Sequence, residues 1–171
     1  CPVVLVTCVD SAGKPNIITL GWVGTVCSDP PTVGLGIRPH RYSCKLIEDS
    51  GEFVVNIPTE EILKEADYCG VYSGKDVDKF SETGLTPESA SQVKPPLIKE
   101  CPVNMECVVT NKIPLGSHRL FLGKIVCVHV DKRILNEKEV IDFTKVSPFV
   151  YNQREYWNLK EKIGTHGFSS Q

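Results

Sequence analysis

PVVLVTCV (residues 2–9), DSAGKP (10–15) and NIITLGWVGTVC (16–27) open the chain, and these three pieces decide the fold. Two apolar, β-branched runs flank a segment of turn formers, the pattern of a β-hairpin. Pro30 and Pro31 then punctuate the chain, and Thr32 to Arg38 reads as a third strand with Gly34 and Gly36 on one face, leaving room for a bend or close approach. Working outward, Tyr42 to Asp49 predicts a short helix stopped at Gly51, and Glu52 to Ile57 another strand. Thr59 supplies a capping hydroxyl for a helix that ends near Gly70, with Glu60 and Glu61 in its first turn. The polar segment from Gly74 to Pro96 reads as a surface excursion with a helical turn around Asp76 to Ser81. Strand character returns at Val103 to Thr110 and at Arg119 to Asp131, with a register shift near Gly123. Glu137 to Thr144 reads as a helix, and the tail from Ser147 is aromatic and polar. Many short strands with few helices, and no regular strand–helix alternation, predict a mainly β (α+β) fold: a small closed or nearly closed barrel with helical caps.

With 171 residues, 41% hydrophobic and 23% charged, the chain can bury one core, so a single domain over residues 1–171 is expected. A net charge of −2 argues against nucleic acid or an anionic membrane as partner, and no apolar run approaches the ~20 residues of a membrane helix. Eight scattered cysteines, several inside apolar runs, read as buried reduced thiols, for which a cytoplasmic location is expected. No Cys-x-x-Cys pair occurs, and no histidine pairs with cysteine at zinc-finger spacing. Cys127 and His129 share one strand face, where a core or surface role outweighs ligation, so no metal is expected.

Other signatures fail on single residues. Gly34-Leu-Gly36 would need a third glycine where Pro39 stands, and the centre of Gly70-Val-Tyr-Ser-Gly74 is Tyr72 rather than serine. Cys44 has cationic neighbours but sits on an apolar helical face, where packing outweighs reactivity. The densest chemistry lies in Arg38-Pro-His40-Arg41-Tyr-Ser43-Cys-Lys45, at a predicted helix start. It reads equally as a phosphate cradle or as a solvated basic turn with Ser43 as an ordinary cap. Trp22, flanked by Gly21 and Gly24, is a shelf for a planar ligand or, more simply, a core tryptophan. Taken singly, His118 is an exposed loop-end histidine and Lys79 a surface lysine.

The ordered set of segments resembles the flavin reductase-like family of FMN-binding split barrels, most closely its flavoredoxin branch. The likeness runs from residues 2–7 and Gly13-Lys-Pro-Asn16 through Asn16-x-x-Thr19-x-Gly-Trp22, Ser28-Asp-Pro-Pro31 and Gly51-Glu-Phe-Val-Val-Asn56. It continues in Gly74-Lys-Asp-Val-Asp-Lys79-Phe80 and Gly116-Ser-His118-x-x-Phe121-x-Gly123, and ends in the tyrosine-rich tail. The resemblance implies a six-stranded antiparallel Greek-key split barrel with peripheral helices, in a homodimer with flavin near the interface. It implies that Asn16, Thr19 and Trp22 face the isoalloxazine or ribityl part of FMN, with backbone groups at Leu20 and Gly21 on the ring edge. Ser43, Lys79, Arg38 and His40 would hold the phosphate. His118 and Tyr151 would lie near the flavin, with Tyr156 and His166 as further contacts. The implied activity is an FMN-dependent oxidoreductase, taking electrons from NAD(P)H or a protein donor and needing no catalytic side chain of its own. The alternatives are a free-flavin reductase serving a partner monooxygenase, and a non-redox ligand-binding or interaction module on the same barrel.

Overall fold

A computed structural model of the chain describes residues 1–170. In chain order its elements are β1 (Val4–Val9), β2 (Pro15–Leu20), β3 (Val23–Ser28), β4 (Pro31–Ile37), α1 (Tyr42–Ser50), β5 (Glu52–Ile57) and α2 (Leu63–Val71). There follow α3 (Lys79–Thr83), β6 (Pro87–Glu88), β7 (Leu97–Ile98), β8 (Val103–Leu115), β9 (His118–Val130), β10 (Phe149–Asn152) and β11 (Glu155–Asn158). One antiparallel sheet has the order β2-β1-β5-β8-β9-β4-β3.

The run 16–27 is therefore two strands, not one, and these are the two outermost strands of that order. Only Gly21 and Trp22 separate Leu20 from Val23, a reach of about 10–11 Å. The two edges must consequently meet at this end, and the sheet is rolled into a barrel of six strands once β2 and β3 are counted as one strand bent at Gly21-Trp22. The interior is filled by one side of each strand, including Val4, Val6 and Cys8, and α1 plugs it with Cys44, Leu46 and Ile47. The alternate residues Val3, Leu5 and Ile17 pack outward beneath Ala66 and Cys69 of α2 and Phe80 of α3. Burial on both faces explains why residues 2–9 read as a continuous apolar run rather than an alternating one.

Three expectations need correction. Thr59 makes no side-chain cap; the chain enters a 3-10 turn at Glu60–Ile62, where Glu60 N–H donates to Ser147 O. The helical turn near 76–81 lies later, as α3, capped by Asp78 on the Ser81 amide. Residues 137–144 form no α-helix. Asn136 Oδ1 accepts from the amides of Lys138 and Val140, closing a loop that a Leu135–Ile141 bridge seals. This local side-chain acceptor competes with helical pairing, as asparagine commonly does.

Candidate functional site

Three segments converge at the open end of the helix-covered side. From β2, the buried Asn16 donates through Nδ2 to Ser43 Oγ at 2.8 Å. Arg41, extended at φ −67° and ψ 135°, caps α1, so Ser43 is not the cap but a buried residue of its first turn. The loop at Gly74 presses so close to Asn16 that an added Cβ would lie 2.0 Å from Asn16 Oδ1. Glycine is needed there for space.

Lys79, the first residue of α3, is not a surface lysine: it is only 4% exposed. Its Nζ donates to Ile17 O and Cys69 O, both at 2.7 Å. The first carbonyl belongs to the outermost strand β2, and the second to the last turn of α2, where carbonyls lack helical partners. The ammonium therefore clamps strand to helix and keeps a third N–H. Burial, with repulsion from Arg41 contributing, lowers its pKa from 10.5 to about 8. Among the described residues no carboxylate forms an ion pair with it. The neighbouring thiols offer no counter-charge either, since burial pushes Cys8 up to about 12 and Cys69 up to about 11.

Lys79, Ser43, His40, Arg41, Ser73 and Gly74 surround a cavity of about 110 Å³. Ile18 and Arg41 also line a second cavity of about 150 Å³, whose walls are Thr19, Leu20, Gly21, Trp22, Arg38, His118 and Tyr151. The tryptophan strand and the cationic helix start thus share one groove. Across Thr19, Leu20, Gly21 and Tyr151 the groove continues into a third cavity of about 380 Å³, bounded further by Asp67, Arg154 and Tyr156.

Trp22 is 53% exposed and is not a core residue. Its base lies over Gly36, where an added Cβ would meet Trp22 Cβ at 3.0 Å, and the two backbones are tied by Gly36 N–H to Trp22 O at 2.8 Å. The His118 ring stands edge-on to the indole at 6.3 Å between centroids, with its Nδ1 2.9 Å from Ser117 Oγ. Of the residues singled out by sequence, Thr19, Leu20, Gly21, Trp22, His118 and Tyr151 line the middle of the groove, and His40, Ser43 and Lys79 its cationic end.

Arg38 stands beside the tryptophan shelf rather than in the cationic cavity. Asn16 lines none of the three cavities; its amide orients Ser43 from behind. The Thr19 hydroxyl is committed to Ala66 O at 2.5 Å. Tyr156 lines the third cavity and donates to Asp67 at 2.8 Å; burial and that carboxylate hold its phenol well above the usual range. His166 is exposed and lies outside all three.

Sequence reasoning passed over Arg41, although it stands in the basic segment, because its capping position decides where it points. It also passed over Asp67 and Arg154. Arg154 follows Gln153 in a two-residue turn with both φ values positive, 48° and 70°, a conformation that usually selects Asn-Gly.

Comparison with known proteins agrees with this architecture. An uncharacterized protein of Archaeoglobus fulgidus is 39% identical over 155 residues, covering 91% of this chain and 88% of the relative. The flavoredoxin of Desulfovibrio vulgaris (Miyazaki F) superposes with a TM-score of 0.94 at 32% identity, over 99% of this chain and 92% of that one. A flavoredoxin from Methanosarcina acetivorans gives 0.89, again at 32% identity and over 99% and 92% of the two chains. The profile of the flavin reductase like domain matches residues 1–160, and with it the split barrel and its bent closing strand find their place: the chain belongs to the flavin reductase-like family.

Proposed function

We propose that the chain binds FMN along this groove and acts as an FMN-dependent oxidoreductase. The observation that carries the reading is Lys79: a buried ammonium with one unassigned N–H and no carboxylate ion pair among the described residues, flanked by Arg41, His40 and Ser43. A buried charge of this kind is costly unless an anion completes it, and a phosphate monoester is the dianion that fits a cradle of cation, hydroxyl and helix start. The chemistry of the cavity, not its size alone, therefore suits the phosphate end of the cofactor.

From there the ribityl chain would pass Ile18 and Arg41, and the ring would lie on the ledge from Leu20 to Trp22. Backbone groups at Leu20 and Gly21 would meet its edge, and His118 and Tyr151 would flank it. When bound, the flavin supplies exchange of electrons singly or in pairs. The protein's part is to fix the phosphate, orient the ring and leave one ring face open beside the third cavity, where NAD(P)H or a protein donor would approach. The exposed apolar side chains Val26, Val126 and Val128 support a homodimer as the working form.

Titration of the purified chain with FMN and with riboflavin, followed by anaerobic addition of NADH or NADPH, tests the reading. Saturable FMN binding much tighter than riboflavin binding, and bleaching of the visible flavin absorption by reductant, are expected. Absence of FMN uptake refutes it. Rapid FMN exchange, with NAD(P)H oxidation that saturates in added flavin, would replace it with a free-flavin reductase.

A further inference from the structure

Glu106 is fully buried in β8, directly across from Cys127 of β9. Its carboxylate is cradled by three successive amides: Ser91 N–H on Oε1 at 2.8 Å, and Gln92 and Val93 on Oε2 at 2.6 and 3.0 Å. Burial alone raises a carboxyl pKa; the Ser91 amide, His129 and the other two amides outweigh this and hold Glu106 below the usual carboxylate range. A carboxylate offers about four lone-pair directions. Three are taken by amides, and the fourth, on Oε1, meets His129 Nε2 at 2.5 Å. The same nitrogen lies 3.5 Å from Cys127 Sγ, and the three donor atoms all fall within 4.8 Å of one another.

A nucleophilic relay does not fit this arrangement. Such a relay uses one ring nitrogen toward the thiol and the other toward the acid, whereas here both contacts fall on Nε2, which cannot donate to Glu106 and accept from Cys127 together. Convergence of carboxylate, imidazole and thiol on one point is instead what a divalent ion with nitrogen and sulfur preference requires. Tetrahedral zinc bonds of about 2.3 Å to sulfur and 2.0–2.1 Å to nitrogen and oxygen place S and N about 3.6 Å apart, and N and O about 3.3 Å apart. Cys127 and His129 already stand at the first separation. The second needs the His129–Glu106 contact to open by less than ~1 Å as the ion takes the place of the shared proton.

We propose that Glu106, Cys127 and His129 form a Zn²⁺ site with an open fourth position on the side where Cys127 and His129 reach solvent. The amides of residues 91–93 serve as the outer shell that fixes the carboxylate. On binding, the thiol proton leaves to solvent, the Nε2 proton passes to Nδ1 or to solvent, and no electron is transferred. None of the three residues lines the flavin groove, so metal uptake and FMN retention are separable.

The test uses the full chain, stripped with chelator. Zn²⁺ is titrated by calorimetry, and Co²⁺ by the sulfur-to-cobalt charge-transfer absorption in the near ultraviolet. One equivalent of each is expected, with zinc displacing cobalt. Cys127→Ser should abolish the charge-transfer band, and His129→Gln, whose amide can still donate to Glu106, should weaken zinc more than about tenfold. Both variants should keep the wild-type circular dichroism and FMN retention. No uptake at micromolar zinc, wild-type zinc affinity in either variant, or loss of the band through Cys1→Ser or Cys27→Ser instead, the two exposed thiols, overturns the proposal.

Discussion

Replacing Lys79 by methionine keeps an unbranched apolar stem of similar length and removes only the ammonium. Two effects on the apo fold then oppose each other. The carbonyls of Ile17 and Cys69 lose their donor, costing about 1–3 kcal/mol each if left unpaired. Against this, a depression from 10.5 to about 8 corresponds to about 3 kcal/mol of penalty on the charged form, which the variant no longer carries. The terms are of similar size, about 2–6 kcal/mol for the two carbonyls against about 3, so the apo protein should lose no more than about 3 kcal/mol in urea unfolding. FMN binding has no such compensation. Loss of a charge-assisted hydrogen bond to a phosphate oxygen is worth about 1.5–3 kcal/mol, a weakening of roughly 10- to 150-fold. Riboflavin, which has no phosphate, should bind both proteins within about threefold of each other. Flavin fluorescence titration with both ligands, beside urea unfolding of the apo forms, measures all four quantities. Survival of FMN affinity in Lys79→Met, or an equal loss of riboflavin affinity, would exclude a contact between the Lys79 ammonium and the phosphate.

The same lysine sets a pH dependence. Its folded-state pKa of about 8 lies below the unfolded value, so between about pH 8 and 10.5 the unfolded chain holds the extra proton. The contribution of Lys79 to apo stability should therefore rise with pH across that window, and because the raised pKa values of the buried Cys8 and Cys69 thiols act in the opposite sense there, it is read as the pH-dependent difference between wild type and Lys79→Met in thermal melts. FMN binding runs the other way, because a bound dianion favours the ammonium. Affinity should be nearly level around pH 7, where the phosphate is already dianionic, and about 30-fold weaker at pH 9.5, an effect that riboflavin would not show. Trp22→Ala should lower stability by only about 1–2 kcal/mol, since half of the indole is already in solvent, while weakening FMN about tenfold; urea unfolding and flavin fluorescence separate the two. Gly74→Ala places a Cβ against Asn16 Oδ1, and Asn16 is pinned to Ser43, so the loop must move: a stability loss of about 1–3 kcal/mol and weaker FMN binding are expected from the same assays.

Local chemistry made much of this molecule readable. Residues 2–20 carry a hairpin whose turn is written in Asp10 to Pro15, and α1 stops at Gly51, whose φ is 70°. What escaped depends on partners remote in sequence. Lys79 stands in the polar string Asp76-Val-Asp-Lys79 and looks solvated, yet its two acceptors are 62 and 10 residues away, and only the docking of α3 on β2 reveals its burial. Trp22 looks like core filling because its neighbours are small, but one of the glycines that accommodate it is Gly36, on another strand. The Glu106–Cys127–His129 cluster requires the register of β8 on β9, in which Glu106 faces Cys127; no spacing within one strand contains that information.

If FMN binds as proposed, Lys79 links cofactor binding to the integrity of the barrel. Its two carbonyl contacts join the outermost strand β2 to the end of α2, and the residue lines the cationic cavity. Without an anion, this clamp is held at the expense of a desolvated charge; with one, the same contacts persist and the charge is paired. Ligand that binds only the folded state stabilises it by RT ln(1 + [L]/Kd), about 2.7 kcal/mol at one hundred times Kd. Part of that gain should come from Lys79 itself, which predicts that FMN protects the β2–α2–α3 region from amide hydrogen exchange more than the β8–β9 hairpin. Uniform protection over both regions would mean that the lysine clamp and the cofactor act independently.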